Sequence, residues 1–132
     1  MIFTINPSDG LPIYRQIVRQ VKHAVASGRL APGDQLPSLR DLASELVINH
    51  LTVKKAYEVL EAEGIIATER GRGTFVAAGL PGGLRSQGVR DLKARARELA
   101  DAARILGLEA GEYRKLVDEA WSDSRQGKGD RT

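Results

Sequence analysis

The sequence predicts a mainly α-helical chain with one small β-hairpin, divided into an N-terminal domain and a shorter helical element. Three observations carry that expectation. Apolar residues recur at helical spacing in three stretches before Gly64 and in two after Gln87. Ile65-Ile66-Ala67-Thr68 and Thr74-Phe75-Val76-Ala77 are strand-like and flank a glycine-containing loop. Gly79-Leu80-Pro81-Gly82-Gly83 then interrupts regular structure.

Taken in order, Ile2-Phe3-Thr4-Ile5 is partly alternating and stops at Asn6-Pro7, which predicts an extended segment. A first helix is expected from about Pro12 to Ser27. Proline suits its first turn, and Tyr14, Ile17, Val18, Val21 and Val25 form its apolar stripe. Gly28 stops it, and Ala31-Pro32-Gly33-Asp34 is a turn. Pro37-Ser38 opens a second helix, capped by Ser38, with Asp41 as an imperfect capping-box partner. Leu39, Leu42, Ala43 and Leu46 share one face of it. The pattern pauses at Val47-Ile48-Asn49. A third helix from His50 to Glu63, capped by Asn49, buries Val53, Ala56, Tyr57 and Leu60 and ends at Gly64. Beyond the glycine-rich segment, Val89, Leu92, Ala96, Leu99, Ala103 and Leu106 are spaced alternately three and four apart, as a heptad seam is. Gly107 ends that helix, and Tyr113, Leu116, Val117, Ala120 and Trp121 stripe a last one. The expected organisation is a domain over 1–78, a linker over 79–88, a helical element over 89–125 and a flexible tail over 126–132.

Composition excludes several functions. The 132 residues allow one small domain plus an appendage. They leave no room for a further ligand-binding domain of about 120 residues or more. With no cysteine there is no disulfide, thiolate nucleophile or Cys-based metal site, and the 2 histidines make no His-rich one. No metal or cofactor is therefore expected. No apolar run approaches the ~20 residues that cross a bilayer, and the N-terminus does not read as a signal peptide. A cytoplasmic protein without membrane contact is expected. Net charge is +3, and residues 1–78 contribute only nine basic against eight acidic side chains. Charge total alone argues little for nucleic acid; charge placement has to.

Helix, helix, tight turn, helix, β-hairpin is the order of a winged helix-turn-helix. Packing the third helix through Val53 and Ala56 turns His50, Leu51, Lys54, Lys55 and Glu58 outward. Lys54 and Lys55 are the only charges between Ile48 and Tyr57, and Arg70 and Arg72 the only ones between Glu69 and Leu84. Four cations thus gather at the helix start and the hairpin tip, the footprint expected for duplex DNA. The start of such a helix presents side chains to base edges, so Asn49, His50 and Leu51 are expected to read bases. Lysines and helix-start N–H groups hold phosphates. Gly71 and Gly73 let the wing turn tightly enough for Arg70 or Arg72 to reach a phosphate or a minor groove.

Pro12-Ile13-Tyr14-Arg15-Gln16-Ile17, Pro32-Gly33-Asp34-Gln35-Leu36-Pro37-Ser38-Leu39-Arg40-Asp41-Leu42-Ala43, Thr52-Val53 with Ala56-Tyr57 and Leu60-Glu61, and Gly64-Ile65-Ile66 with Arg70-Gly71-Arg72-Gly73-Thr74-Phe75-Val76 together resemble the GntR family of bacterial transcription regulators. The likeness covers about residues 11–77. The two-helix tail, around Leu106-Gly107-Leu108, resembles the YtrA subfamily, whose C-terminal part is a small dimerisation element. The resemblance implies DNA contacts at Ser38, Arg40, Asn49 to Thr52, Lys54 and the wing from Arg70 to Gly73. Two residues depart from the pattern. Val47 stands where the family usually has glycine, and a β-branched residue tolerates positive φ badly, so the turn either takes another geometry or carries strain of about 1–3 kcal/mol. Leu51 stands where polar or small groups are common, which implies either packing on a thymine methyl or a weaker, altered base readout.

Other readings are weaker. Arg40 is able to pair with Glu45 instead of phosphate. The glycine loops lack a complete phosphate-binding motif, no serine sits in a nucleophile elbow, and catalysis has no support. His23 lies off the apolar stripe. Tyr113 and Trp121 sit on an apolar stripe, which favours packing over ligand stacking. The expected activity is sequence-specific binding of a double-stranded inverted-repeat operator by a homodimer, acting as a repressor. Val89, Leu92, Ala96, Leu99, Ala103, Leu106, Tyr113, Leu116, Val117 and Trp121 are the expected dimer surface. The sequence names no small-molecule effector. The alternative is a winged-helix module that binds protein and reads no DNA.

Overall fold

The computed structural model describes residues 3–80 and 82–126. They form two compact units, one ending at Leu80 and the other comprising the described residues from Gly82 onward. The first contains α1 (Ile13–Ala26), β1 (Gln35–Leu36), α2 (Leu39–Leu46), α3 (His50–Ala62), β2 (Ile66–Glu69) and β3 (Gly73–Val76). The second contains α4 (Gly82–Ile105) and α5 (Ala110–Gln126).

The first unit is built around one core. Ile17 and Val21 of α1, Leu42 of α2, Val53 and Leu60 of α3, and Ile66 of β2 are fully buried in it. Helices α1 and α2 both pack on α3, so the third helix is held from two sides with one face left free. The expected apolar stripes of this unit face the core, with Tyr14, Val25, Leu39 and Leu46 at its half-buried margin. Periodicity did not disclose buried Gln16. Its amide donates to the carbonyls of Asn6 and Leu11, at 2.9 Å each, and accepts from the Asn6 N–H at 2.9 Å. Every polar atom of that side chain is thus used, as burial requires, and the segment before α1 is tied down over the buried Phe3.

The wing is a three-stranded antiparallel sheet in the order β1-β3-β2 rather than a bare hairpin. Strand β1, missed in the sequence, pairs Gln35 with Phe75 and Leu36 with Thr74. Two residues are too few to show alternation. Strand β2 starts at Ile66 because the Ile65 N–H donates instead to the Leu60 carbonyl (2.9 Å), closing α3.

In the second unit, Ala103 is buried and Leu108 and Tyr113 are half-buried. Gly107 at φ 78° allows Leu108 to bond back to the Ala103 carbonyl at 3.0 Å. Three expectations are corrected here. The linker assigned to 79–88 is helical from Gly82. Gly82 and Gly83 fall in the first turn, where N–H groups need no intrahelical acceptor and a breaker does least harm. Ala103 is buried at the α4–α5 turn and does not continue a free seam, whereas Leu106, one residue past the end of α4, stays 77% exposed. The tail assigned to 126–132 loses Gln126 to α5, and its remainder lies outside the described residues. No described helix is long and apolar enough to cross a membrane.

Candidate nucleic-acid interface

The free face of α3 is positioned from its two ends. At the α2 start, the Ser38 hydroxyl accepts from the Asp41 N–H at 3.0 Å, as its cap role predicts. The Tyr57 hydroxyl donates to the Pro37 carbonyl at 2.8 Å, anchoring α3 beneath that cap. Burial pushes the Tyr57 phenol above the usual tyrosine range, so it remains a neutral donor. At the α3 start, the Asn49 side chain accepts from the Leu51 N–H at 2.9 Å.

Between the two helices the chain turns through Val47, at φ 55° and ψ 51°. The Ile48 N–H reaches the Ala43 carbonyl at 3.0 Å and the Val47 N–H the Ser44 carbonyl at 3.3 Å, a Schellman ending. The same bonding closes α3 at Gly64 and α4 at Gly107, both at positive φ. Val47 is the one described non-glycine residue at positive φ. It is 88% exposed, so its side chain has little packing to offset the strain.

The wing folds back beside α3. The Thr68 hydroxyl donates to the Glu61 carboxylate at 2.8 Å, joining β2 to the helix. Between helix and wing lies a cleft of about 670 Å³, lined among others by Ser38, Lys54, Arg70, Gly71, Arg72 and Gly73. A second, open hollow of about 720 Å³ lies at the α2–α3 corner and includes Arg40, Asn49 and His50. Leu51 is 58% exposed beside them, whereas Thr52 is half-buried. Ser38, Arg40, Asn49, His50, Lys54 and Arg70 to Gly73 thus line two concave surfaces of one unit, and Leu51 and Thr52 line neither.

Lys55 does not join them. Its ammonium stands 4.2 Å from the centre of the Tyr14 ring, drawn to α1 by a cation–π contact. Arg72 is also engaged, 2.8 Å from the Glu69 carboxylate. Lys54 and Arg70 have exposed side chains with no ion pair among the described residues. Arg40 is likewise exposed and makes no ion pair with Glu45. Tyr14, Gln35 and Glu69, which shape these cations, escaped sequence reasoning because their partners are distant in sequence or belong to a turn.

Residues 13–76 match the family described as bacterial regulatory proteins, gntR family. Over 124 residues the chain is 38% identical to the HTH-type transcriptional repressor YtrA of Bacillus subtilis, covering 94% of this chain and 95% of that one. The chain belongs to the GntR family. A crystal structure of a transcriptional antiterminator from Listeria monocytogenes is similar across 95% of this chain and 93% of its own, with TM-score 0.80 and 35% identity. YtrA from Sulfolobus acidocaldarius, a GntR-family transcription factor, matches 92% of this chain and 97% of its own, with TM-score 0.67 and 34% identity. This GntR protein is therefore a DNA-binding transcription regulator and not an enzyme. Its first unit carries the family's winged helix-turn-helix, and the resemblance to YtrA extends through both helices of the second.

Proposed function

We propose that this regulator is a repressor that binds an inverted-repeat operator as a homodimer. The observation that carries the reading is the bare apolar surface of the second unit. Leu92 is 64% and Trp121 71% exposed, and Val89, Leu99, Leu116 and Val117 are also open to solvent. Two helices with apolar sides uncovered require another surface, and the heptad spacing of Val89, Leu92, Ala96 and Leu99 suits the same helix of a second copy. The open face of Ile105, 85% exposed and off the heptad, broadens that surface.

A two-fold pair of winged units presents two recognition helices to successive turns of the duplex, which makes a palindromic operator the matching target. In this reading Asn49, His50 and Leu51 meet base edges, with Thr52 behind them. Ser38, Arg40, Lys54 and, from the wing, Arg70 with the Gly71 backbone hold the phosphates. Occupying a promoter would exclude polymerase, and the Bacillus subtilis relative is named a transcriptional repressor. Footprinting the purified chain on the DNA upstream of its own gene is the test. Two protected half-sites of opposite orientation, centred about one or two helical turns apart, are expected. Protection of a single half-site by a monomer rules the reading out.

A further inference from the structure

The wing carries two arginines, and the structure treats them differently. Around Arg72 four contacts converge. Its N–H donates to the Glu69 carbonyl at 2.9 Å, closing the turn. Its guanidinium lies 2.8 Å from the Glu69 carboxylate and 5.6 Å from the centre of the Phe75 ring. Its carbonyl accepts from the Gln35 side-chain amide at 3.2 Å. Gly73, at φ 127°, makes room for that amide: a Cβ there would stand 2.5 Å from the Gln35 nitrogen. Arg70, two residues away at the turn, has an exposed side chain without ion pair or hydrogen bond among the described residues.

We propose that Glu69 limits how much cationic charge the wing offers to DNA: its carboxylate holds Arg72, braced by Gln35, so that Arg70 is the wing residue that meets phosphate. A phosphate approaching Arg72, whose side chain is 73% exposed, meets the repulsion of a carboxylate already held at its Nη1. Arg70 presents no such competitor. The sequence-independent part of binding is set by the number of phosphates neutralised, so Glu69 withholds one contact per subunit from every duplex, whatever its sequence. The inference rests on the chain binding DNA, and extends that reading to a residue of the opposite charge.

The test measures binding of the full chain to a mixed-sequence 30-base-pair duplex over a range of salt concentrations. Glu69→Gln keeps the size of the side chain and removes its charge. It is expected to tighten binding about tenfold near 0.1 M salt and to steepen the log–log slope by about 0.9 for each subunit bound. Arg70→Ala is expected to flatten the parent's slope by that amount, and Arg72→Ala to leave it nearly unchanged. Adding Arg72→Ala to Glu69→Gln returns the slope to the parent's value, which a merely structural effect of Glu69 does not do. Equal slopes for Glu69→Gln and the parent, with both folded by circular dichroism, overturn the proposal. So does an Arg72→Ala loss as large as that of Arg70→Ala. A parent that binds no duplex at any salt overturns the DNA reading beneath it, a result distinguishable from these.

Discussion

Val47→Gly is expected to stabilise the DNA-binding unit. A left-handed conformation costs an L-residue about 1–2 kcal/mol, and β-branching places valine toward the upper end. Glycine removes that cost but returns about 0.5–1 kcal/mol through its freer unfolded chain. Little packing is lost, since the valine is 88% exposed. Both Schellman bonds, Ile48 to Ala43 and Val47 to Ser44, use backbone atoms that glycine retains. The net gain is about 1 kcal/mol, which for a unit of this size raises the thermal midpoint by about 4–8 °C. Differential scanning calorimetry, with urea melts as a second probe, reads it. Val47→Ala serves as the control. It relieves the branching but keeps the Cβ, so its midpoint falls between valine and glycine. A glycine variant melting at or below the parent, or an alanine variant above the glycine one, shows that strain at this turn does not limit stability.

Three further outcomes are expected. Replacing Leu92 and Leu99 by Asp leaves the first unit folded but gives a monomer in sedimentation; a parent already monomeric at working concentration removes the basis for the homodimer. Lys54→Ala flattens the salt slope of duplex binding by about 0.9 per subunit, whereas Lys55→Ala changes it less and instead lowers stability by about 0.5–1 kcal/mol through the lost Tyr14 contact. Equal slope changes for the two lysines contradict the placement of Lys55. Tyr57→Phe lowers stability by about 1 kcal/mol at neutral pH by removing the bond to the Pro37 carbonyl. Because the folded phenol titrates above its unfolded value of about 10, its stabilising share is full below that pH and fades as pH rises through it. Urea melts between pH 8 and 11 should therefore show a shallower alkaline decline for Tyr57→Phe than for the parent.

Elements with a strong period were legible in the sequence. The stripes of α1 and α3 and the caps Ser38 and Asn49 follow from local chemistry, since a cap bonds within three residues of itself. The family likeness marked Val47 as an unusual residue at this turn, but that the turn keeps a positive φ is seen only in the structure. Strand β1 was not legible, because its identity depends on Phe75 and Thr74, more than thirty residues away. Nor was the burial of Gln16, a polar residue made apolar in effect by three hydrogen bonds to the N-terminal segment. The start of α4 was misjudged because Gly82-Gly83 disfavours a helix interior but is tolerated at a helix start.

The interface shows a different limit. Sequence position placed four cations at the helix start and the wing, and the structure keeps them there, yet position does not say which charges are free. Lys54 and Lys55 are neighbours on one helix, but successive residues differ by about 100° around its axis, so one faces the wing cleft and the other Tyr14 of α1. Arg70 and Arg72 are two residues apart in one turn, but only Arg72 stands three residues after Glu69, where the closed turn brings carboxylate and guanidinium to 2.8 Å. A count of basic residues therefore overstates the charge available to phosphate. What the duplex meets is set by Tyr14 and Glu69 as much as by the lysines and arginines themselves.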